Sequence, residues 1–334
     1  MSVTVADAES AGPGSSRTRS ARRAADPPPR QKPAGRRRTA ELLSARSRRD
    51  FPIFLLLVLP NVLLIAAFTY RPLLTNIYYS TLNWTLGSPT ASKVGLGNYR
   101  EFFTDPESLQ VLWTTAIFTV ATVGGAMILG LGLATVLNRP LRGRTFARAT
   151  IFAPFVLSGV GIGLVWVFIF DPVTGLLGAI IRGFGGTSPQ WFNDPKLALT
   201  MVIIVYIWKN TGYCAVIYLA AMQAVPADLV EAAAIDGAGR VRTFFSVVLP
   251  LLSPTTFFLL LTSILNSLQA FDLIRIMTPL GNGTTTLMYD AYLQAFGGYN
   301  RAGYSAAVAT ILFGILLVMT VVQLTLLERK VHYS

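Results

Sequence analysis

Polar and ionisable side chains are rare inside the long apolar runs of this sequence, so those that occur there are the first candidates for chemistry. Lys209 and Asn210 interrupt one run beside Tyr206, Trp208 and Tyr213, and Asn266, Gln269, Asp272 and Arg275 recur at intervals of three in another. An ionisable group at bilayer depth costs on the order of 2.5 to 3.5 kcal/mol on insertion scales, so such residues face a bundle interior or a water-filled cavity. Amides, a carboxylate and an ammonium beside aromatic rings suit a polyhydroxylated solute: hydrogen bonds for its hydroxyls and flat apolar faces for its C–H groups. Lys209, Asn210, Asn266, Gln269 and Asp272 are therefore expected to line a substrate pathway. Intervals of three draw a stripe winding slowly round one side of a helix, on which Asp272 and Arg275 can offset each other. Two other readings stay open. Trp and Tyr also populate membrane interfaces for structural reasons, and Asp272 and Arg275 stand close to Pro279, where an arginine at the outer interface reaches water.

Covalent, metal and nucleotide chemistry find little support. A single cysteine, Cys214, excludes an intramolecular disulfide, and a single histidine, His332, leaves no Cys/His cluster for zinc or redox work. No glycine is followed by lysine, so the chain has no Walker-type phosphate loop. An intramembrane enzyme would need a paired nucleophile and base, and none is in view. No catalytic residue, metal ligand or cofactor of the chain's own is expected.

The elements that must position these residues follow from composition. Of 334 residues 52% are hydrophobic and only 13% charged, against about 25% charged in an average soluble domain, which places the chain in the membrane class. A spanning helix needs about 20 mainly apolar residues, and six candidates lie near 51–70, 111–137, 149–170, 197–222, 251–279 and 304–327. Runs of this length read as helices, since barrel strands would alternate over about 10 residues. The expectation is an all-α protein with a six-helix membrane domain over 51–330.

Charge sets the orientation. Residues 1–50 carry 12 Lys/Arg and five Asp/Glu, mixed with "DPPPRQKP" and Gly/Ser; such a segment buries too little apolar surface to fold and is expected to be a disordered arm. It is no signal peptide. Attraction to anionic lipid or nucleic acid is one reading of the arm, and a cytoplasmic tether obeying the positive-inside bias is the plainer one. "TAELLSARSRR" at 39–49 could form a short interfacial helix. With the N-terminus inside, the inside segments hold 20 of the 28 Lys/Arg and the outside segments six. Both termini and the loop between the fourth and fifth spans are thus expected in the cytoplasm.

That loop contains "EAAAIDGAGRVRTFFSVVLPLLSP" from Glu231 to Pro254. Pro226 suits a first helical position, Asp228 meets the positive helix end, and three consecutive alanines favour helix. Gly237 and Gly239 then supply a turn. A helix of about eleven residues results, with almost no side-chain bulk along it, which a neighbouring protein could approach closely. A second helix is expected from Arg240 to Leu249, closed by Pro250. A hairpin that merely joins two spans is the bland alternative.

Glu231, Ala232, Ala233, Asp236, Gly237 and Ala238, followed by Leu249-Pro250, resemble the EAA loop of permease subunits in binding-protein-dependent ABC importers. The likeness extends through "VGLGNYREFF", "LNRPLRGRTFARATIFAPFVLSGVGIGLVWVFIFDP", "IYLAAMQAVPADL", "LQAFDLIRIMT" and "GTTTLMYDAYLQAF" to essentially everything after residue 50, and is similar to the carbohydrate-uptake branch, with its maltose and glycerol-3-phosphate permeases. The chain departs from the family pattern after Thr278, where "PLGNG" replaces a more glycine-rich segment, and in its basic arm. The resemblance implies the type I permease fold in a bacterial cytoplasmic membrane, with the loop 226–254 docking its first helix on an ATPase. It also implies partners: a pair of cytoplasmic ATP-binding subunits carrying ATP and Mg, a second six-helix permease, an extracytoplasmic solute-binding protein and a sugar. An ion-coupled transporter that needs no ATPase, or an ABC permease for a non-sugar solute, are the alternatives; the first should show inverted repeats, and none is evident.

Overall fold

The computed structural model describes residues 51, 52, 54–139 and 142–327; the basic arm, the helix expected at 39–49 and residues 328–334 lie outside them. Two units divide between Ile65 and Ala66. In the first, the described residues are helical and begin α1 (Phe54–Tyr79), whose 26 residues are long and apolar enough to cross a membrane.

The second unit continues with a two-stranded antiparallel hairpin, β1 (Leu82–Asn83) and β2 (Ser92–Lys93), and α2 (Gly97–Thr104). Next come α3 (Pro106–Leu137), α4 (Arg144–Val156), α5 (Gly159–Phe170), α6 (Leu176–Gly183) and α7 (Pro195–Gln223). A polar connection holds α8 (Ala227–Ile235) and α9 (residues 240–251). The described residues continue with α10 (Ser253–Leu268), α11 (Asp272–Met277), α12 (Leu287–Phe296) and α13 (Ala302–Val322), which runs on into a π-helical turn at Gln323–Leu327. The long central helices start alike: Asp105 and Asp194 each accept hydrogen bonds from the second and third backbone N–H groups, with a proline at the first position. Both devices satisfy orphan donors at a helix N-terminus.

Helices α3 and α7 form the middle of the bundle. Gly130 lets them close: a Cβ there would stand 2.5 Å from that of Cys214. α4 crosses α7 at Gly212, where any side chain would collide with the Ile151 carbonyl. Small residues at such crossings let helix backbones meet where lipid supplies no hydrophobic drive. Phe118, Met201, Val205, Ile274, Met277 and Tyr289 fill one core cluster between α3, α7, α11 and α12.

Two spans read from sequence as continuous are interrupted. The third is two arms, α4 and α5, bent by 99°. Pro154 lies inside α4, and Leu157 and Ser158 are extended before the helix restarts at Gly159; a proline with no N–H and a glycine-rich restart are ordinary causes of such a break. Five helices therefore pass the length and apolarity test for a span, and six if the bent pair is taken as one. The fifth span stops at Leu268 and resumes at Asp272. Asn266, Gln269, Asp272 and Arg275 consequently do not form a stripe on one helix.

Candidate functional site

Both interruptions open onto the same place. A cavity of about 360 Å³ is lined by Lys209 and Asn210 of α7, Asn266 of α10, Gln269 of the break and Asp272 of α11, so all five residues expected to line a pathway come together. Phe155 and Gly159, on either side of the third span's bend, complete it with Tyr206 and Phe271. Lys209 stands at the middle of the 29-residue α7, and its ammonium donates to the Phe155 carbonyl at 3.0 Å and lies 5.4 Å from the Phe155 ring. A cation is the natural partner for a carbonyl left over at a helix C-terminus. Tyr213 stacks on Phe155 with ring centroids 4.6 Å apart.

The second interruption is held in the same manner. Tyr206 donates its hydroxyl proton to the Asn266 carbonyl at 2.8 Å, and Asn210 donates to the Tyr206 carbonyl, also at 2.8 Å. With its carbonyl taken from outside, Asn266 has no intrahelical donor; the Ala270 N–H turns instead to Ser267 at 3.1 Å. Asp272 packs against Gly159, whose missing Cβ would lie 3.1 Å from that of Asp272. The side chains of Asn266, Gln269 and Asp272 are exposed while Lys209 and Asn210 are half-buried, so the cavity has one walled side and one open side.

Arg275 is not part of this group, and the expected Asp272–Arg275 pair does not form. Among the described residues the one ion pair joins Arg301 to Glu101. Arg275 instead places its guanidinium 4.8 Å from the Tyr292 ring and 5.8 Å from that of Phe271. Asp272 and Arg275 share the short α11 at a spacing of three, yet the guanidinium turns to the aromatic rings rather than to the carboxylate. Phe155 and Gly159 are members that sequence reasoning missed; Pro154 and the glycines at 159, 161 and 163 were the signal for the bend that brings them in.

The loop between α7 and α10 forms a second candidate surface. α8 runs over nine residues rather than eleven, because Pro226 stands just outside it with extended ψ and Asp236 caps its other end. Asp228 lies in its first turn as expected. Gly237 has φ +78°, the Ala238 N–H bonds to the Ala233 carbonyl at 2.9 Å and the Gly237 N–H to that of Ala234 at 3.0 Å. These two bonds are the Schellman closure, which needs a left-handed residue at that point. Glu231, Ala232, Asp236 and Gly237 are exposed, Ala233 and Ala238 partly so, and Ile235 is 87% exposed. α9 runs through Pro250, contrary to the expected stop, because a π-turn at Phe244–Val248 lets a residue without an N–H follow.

Long apolar helices, two interrupted spans around a polar half-cavity and an exposed helix and turn between spans define a transport subunit embedded in a membrane. The chain matches the family described as "Binding-protein-dependent transport system inner membrane component" over residues 126–333. It is 36% identical to the sn-glycerol-3-phosphate transport system permease protein UgpA of Yersinia pestis over 282 residues, 84% of this chain and 95% of that one. It is 33% identical to the sulfoquinovosyl glycerol transport system permease protein SmoG of Agrobacterium fabrum, covering 84% and 92%. A bacterial alginate ABC transporter, solved with an alginate pentasaccharide-bound periplasmic protein, contains a chain of like fold: TM-score 0.73 at 19% identity, covering 84% of this chain and 94% of that one. The chain belongs to the binding-protein-dependent transport system inner membrane component family, and has the type I ABC importer permease fold.

Proposed function

We propose that this permease is one half of the membrane channel of an ABC importer for a sugar or sugar derivative, an oligosaccharide or a glycerol-phosphate-like solute. The observation that carries the reading is the convergence of Lys209, Asn210, Asn266, Gln269 and Asp272 on one half-open cavity at mid-span. Amides and charges beside Tyr206, Phe155 and Phe271 offer a sugar both hydroxyl partners and flat apolar faces. The open side, with three exposed polar side chains inside a span, suits a second six-helix permease that completes the site. The glycerol-3-phosphate and sulfoquinovosyl glycerol permeases named above support the substrate class.

In this reading solute arrives on an extracytoplasmic binding protein, and both termini and α8 face the cytoplasm, as the distribution of Lys/Arg implies. Glu231, Ala232, Ala233, Asp236, Gly237 and Ala238 form the surface that docks on a pair of ATP-binding subunits. ATP and Mg belong to those subunits, and this chain contributes no catalytic group. Uptake of labelled sugars by a strain lacking the gene, and by the same strain with it restored, tests the proposal. Uptake should vanish and return with the gene, and should stop when the partner ATPase is disabled. Transport that persists without ATP hydrolysis would return the chain to the ion-coupled class.

A further inference from the structure

The outer ends of α3 and α13, with α12 and the loop before it, enclose a second cavity of about 350 Å³ that shares no residue with the first. Several of its donors are already engaged. Arg301 Nη2 lies 2.6 Å from Glu101 Oε1, with its guanidinium 4.3 Å from the Tyr304 ring. Ser108 Oγ donates to Asp105 Oδ2 at 2.8 Å, which leaves the Tyr304 hydroxyl to donate to Ser108 at 2.7 Å. Gln294 Nε2 donates to Asp290 Oδ1 at 3.2 Å.

Two of its acceptors, on Gln294 and Asp290, are not fully engaged. Because the amide nitrogen of Gln294 faces Asp290, its Oε1 is left buried with no donor. Asp290 is only 7% exposed, and among the described residues one of its two oxygens has a donor. Burial pushes the Asp290 carboxyl above its ordinary range. Asp105 and Glu107 add two further carboxylates to the lining. Buried acceptors with spare lone pairs call for a ligand rich in N–H groups, and the surplus of negative charge calls for a cation.

The rim indicates what carries that cation. Leu280 is 92% and Tyr299 64% exposed, and both border the cavity outside the spans. Large apolar side chains around a charged hole are the composition of a protein contact, with a buried polar anchor and an apolar surround. We infer that the cavity receives a guanidinium or ammonium side chain of the solute-binding protein when that protein docks. The inference rests on the importer reading, in which this end of α3 is extracytoplasmic.

The test is docking of the solute-binding protein to the complete importer in lipid nanodiscs, measured by surface plasmon resonance. Removing one member of a buried charge pair weakens association by about thirty-fold or more, so Asp290→Asn should raise Kd by at least that factor. Gln294→Leu, which keeps the carboxylate, should cause a smaller loss, and basal ATP hydrolysis should confirm that both variants assemble. An alanine scan of lysines and arginines on the binding protein should find one whose loss is not additive with Asp290→Asn. An unchanged Kd in both variants, or losses that simply add for every basic residue, would overturn the inference, the latter pointing to an inorganic cation. If the unaltered importer does not bind the protein at all, the importer reading itself fails.

Discussion

Replacing Gly237 by valine isolates the turn that ends α8. The residue sits at φ +78°, and a Cβ built there meets nothing within 4 Å, so the penalty is purely one of backbone conformation. A left-handed residue other than glycine costs about 1–2 kcal/mol, and a bulky one in a sparsely populated region roughly 2–3 kcal/mol. The chain could escape by unwinding the turn, but it would then lose the Schellman bonds at 2.9 and 3.0 Å, each contributing about 1 kcal/mol. Either route costs about 2 kcal/mol, a factor of roughly 30 in the population of the formed turn. Because the turn lies on the surface, membrane insertion and subunit assembly should be normal. Solute uptake and solute-stimulated ATP hydrolysis in inverted and right-side-out vesicles are the assays, with uptake expected to fall by an order of magnitude or more in Gly237→Val. Gly237→Asn should retain most activity, since asparagine tolerates the left-handed region. Wild-type coupling in the valine variant, or equal damage from asparagine, would refute the argument.

Gln269→Leu removes an exposed amide from the half-cavity, and should alter the range of sugars transported or the ATPase stimulation they cause; no change in either would remove Gln269 from the pathway. Gly212→Ala drives a methyl into the Ile151 carbonyl, and since neither backbone yields easily it should destabilise the protein by about 1–3 kcal/mol, read as a lower melting temperature in detergent. Asp290 has a raised pKa from burial, so the folded chain holds its proton more tightly than the unfolded one and stability falls as pH climbs from 3.8 through the raised value. Asp290→Asn should therefore raise the melting temperature at neutral pH, with the gain shrinking as pH drops toward the unfolded carboxylate's range.

The sequence was informative wherever a local rule sufficed. Apolar length marked the spans, and Gly237 marked the turn after α8 from chemistry that needs no tertiary context. The five polar residues of the cavity were legible because an ionisable or amide group inside an apolar run has few places to go. Contacts across the break at Gln269 were not legible. Nothing in "NSLQAFDL" breaks a helix; the partner that meets the freed Asn266 carbonyl is the Tyr206 hydroxyl, 60 positions away. Nor was it legible that Arg275, three residues from Asp272 on α11, would turn to aromatic rings instead. At the third span the reverse holds: Pro154 and the glycine series were in plain sight, and an unbroken hydropathy signal outweighed them.

The bend between α4 and α5 has a mechanical meaning. At about 1.5 Å per residue the two arms are roughly 20 and 18 Å long, so neither reaches across about 30 Å of hydrocarbon. Each arm is keyed to a different neighbour: α4 to α7 through the Gly212 crossing, and α5 to α11 through Gly159 and Gly163, which lie against Asp272 and Ile276. The pair is thus a jointed linkage. Its angle registers the relative position of α7 and α11, and the joint, where Lys209 already holds the freed carbonyl of Phe155, forms one wall of the polar half-cavity.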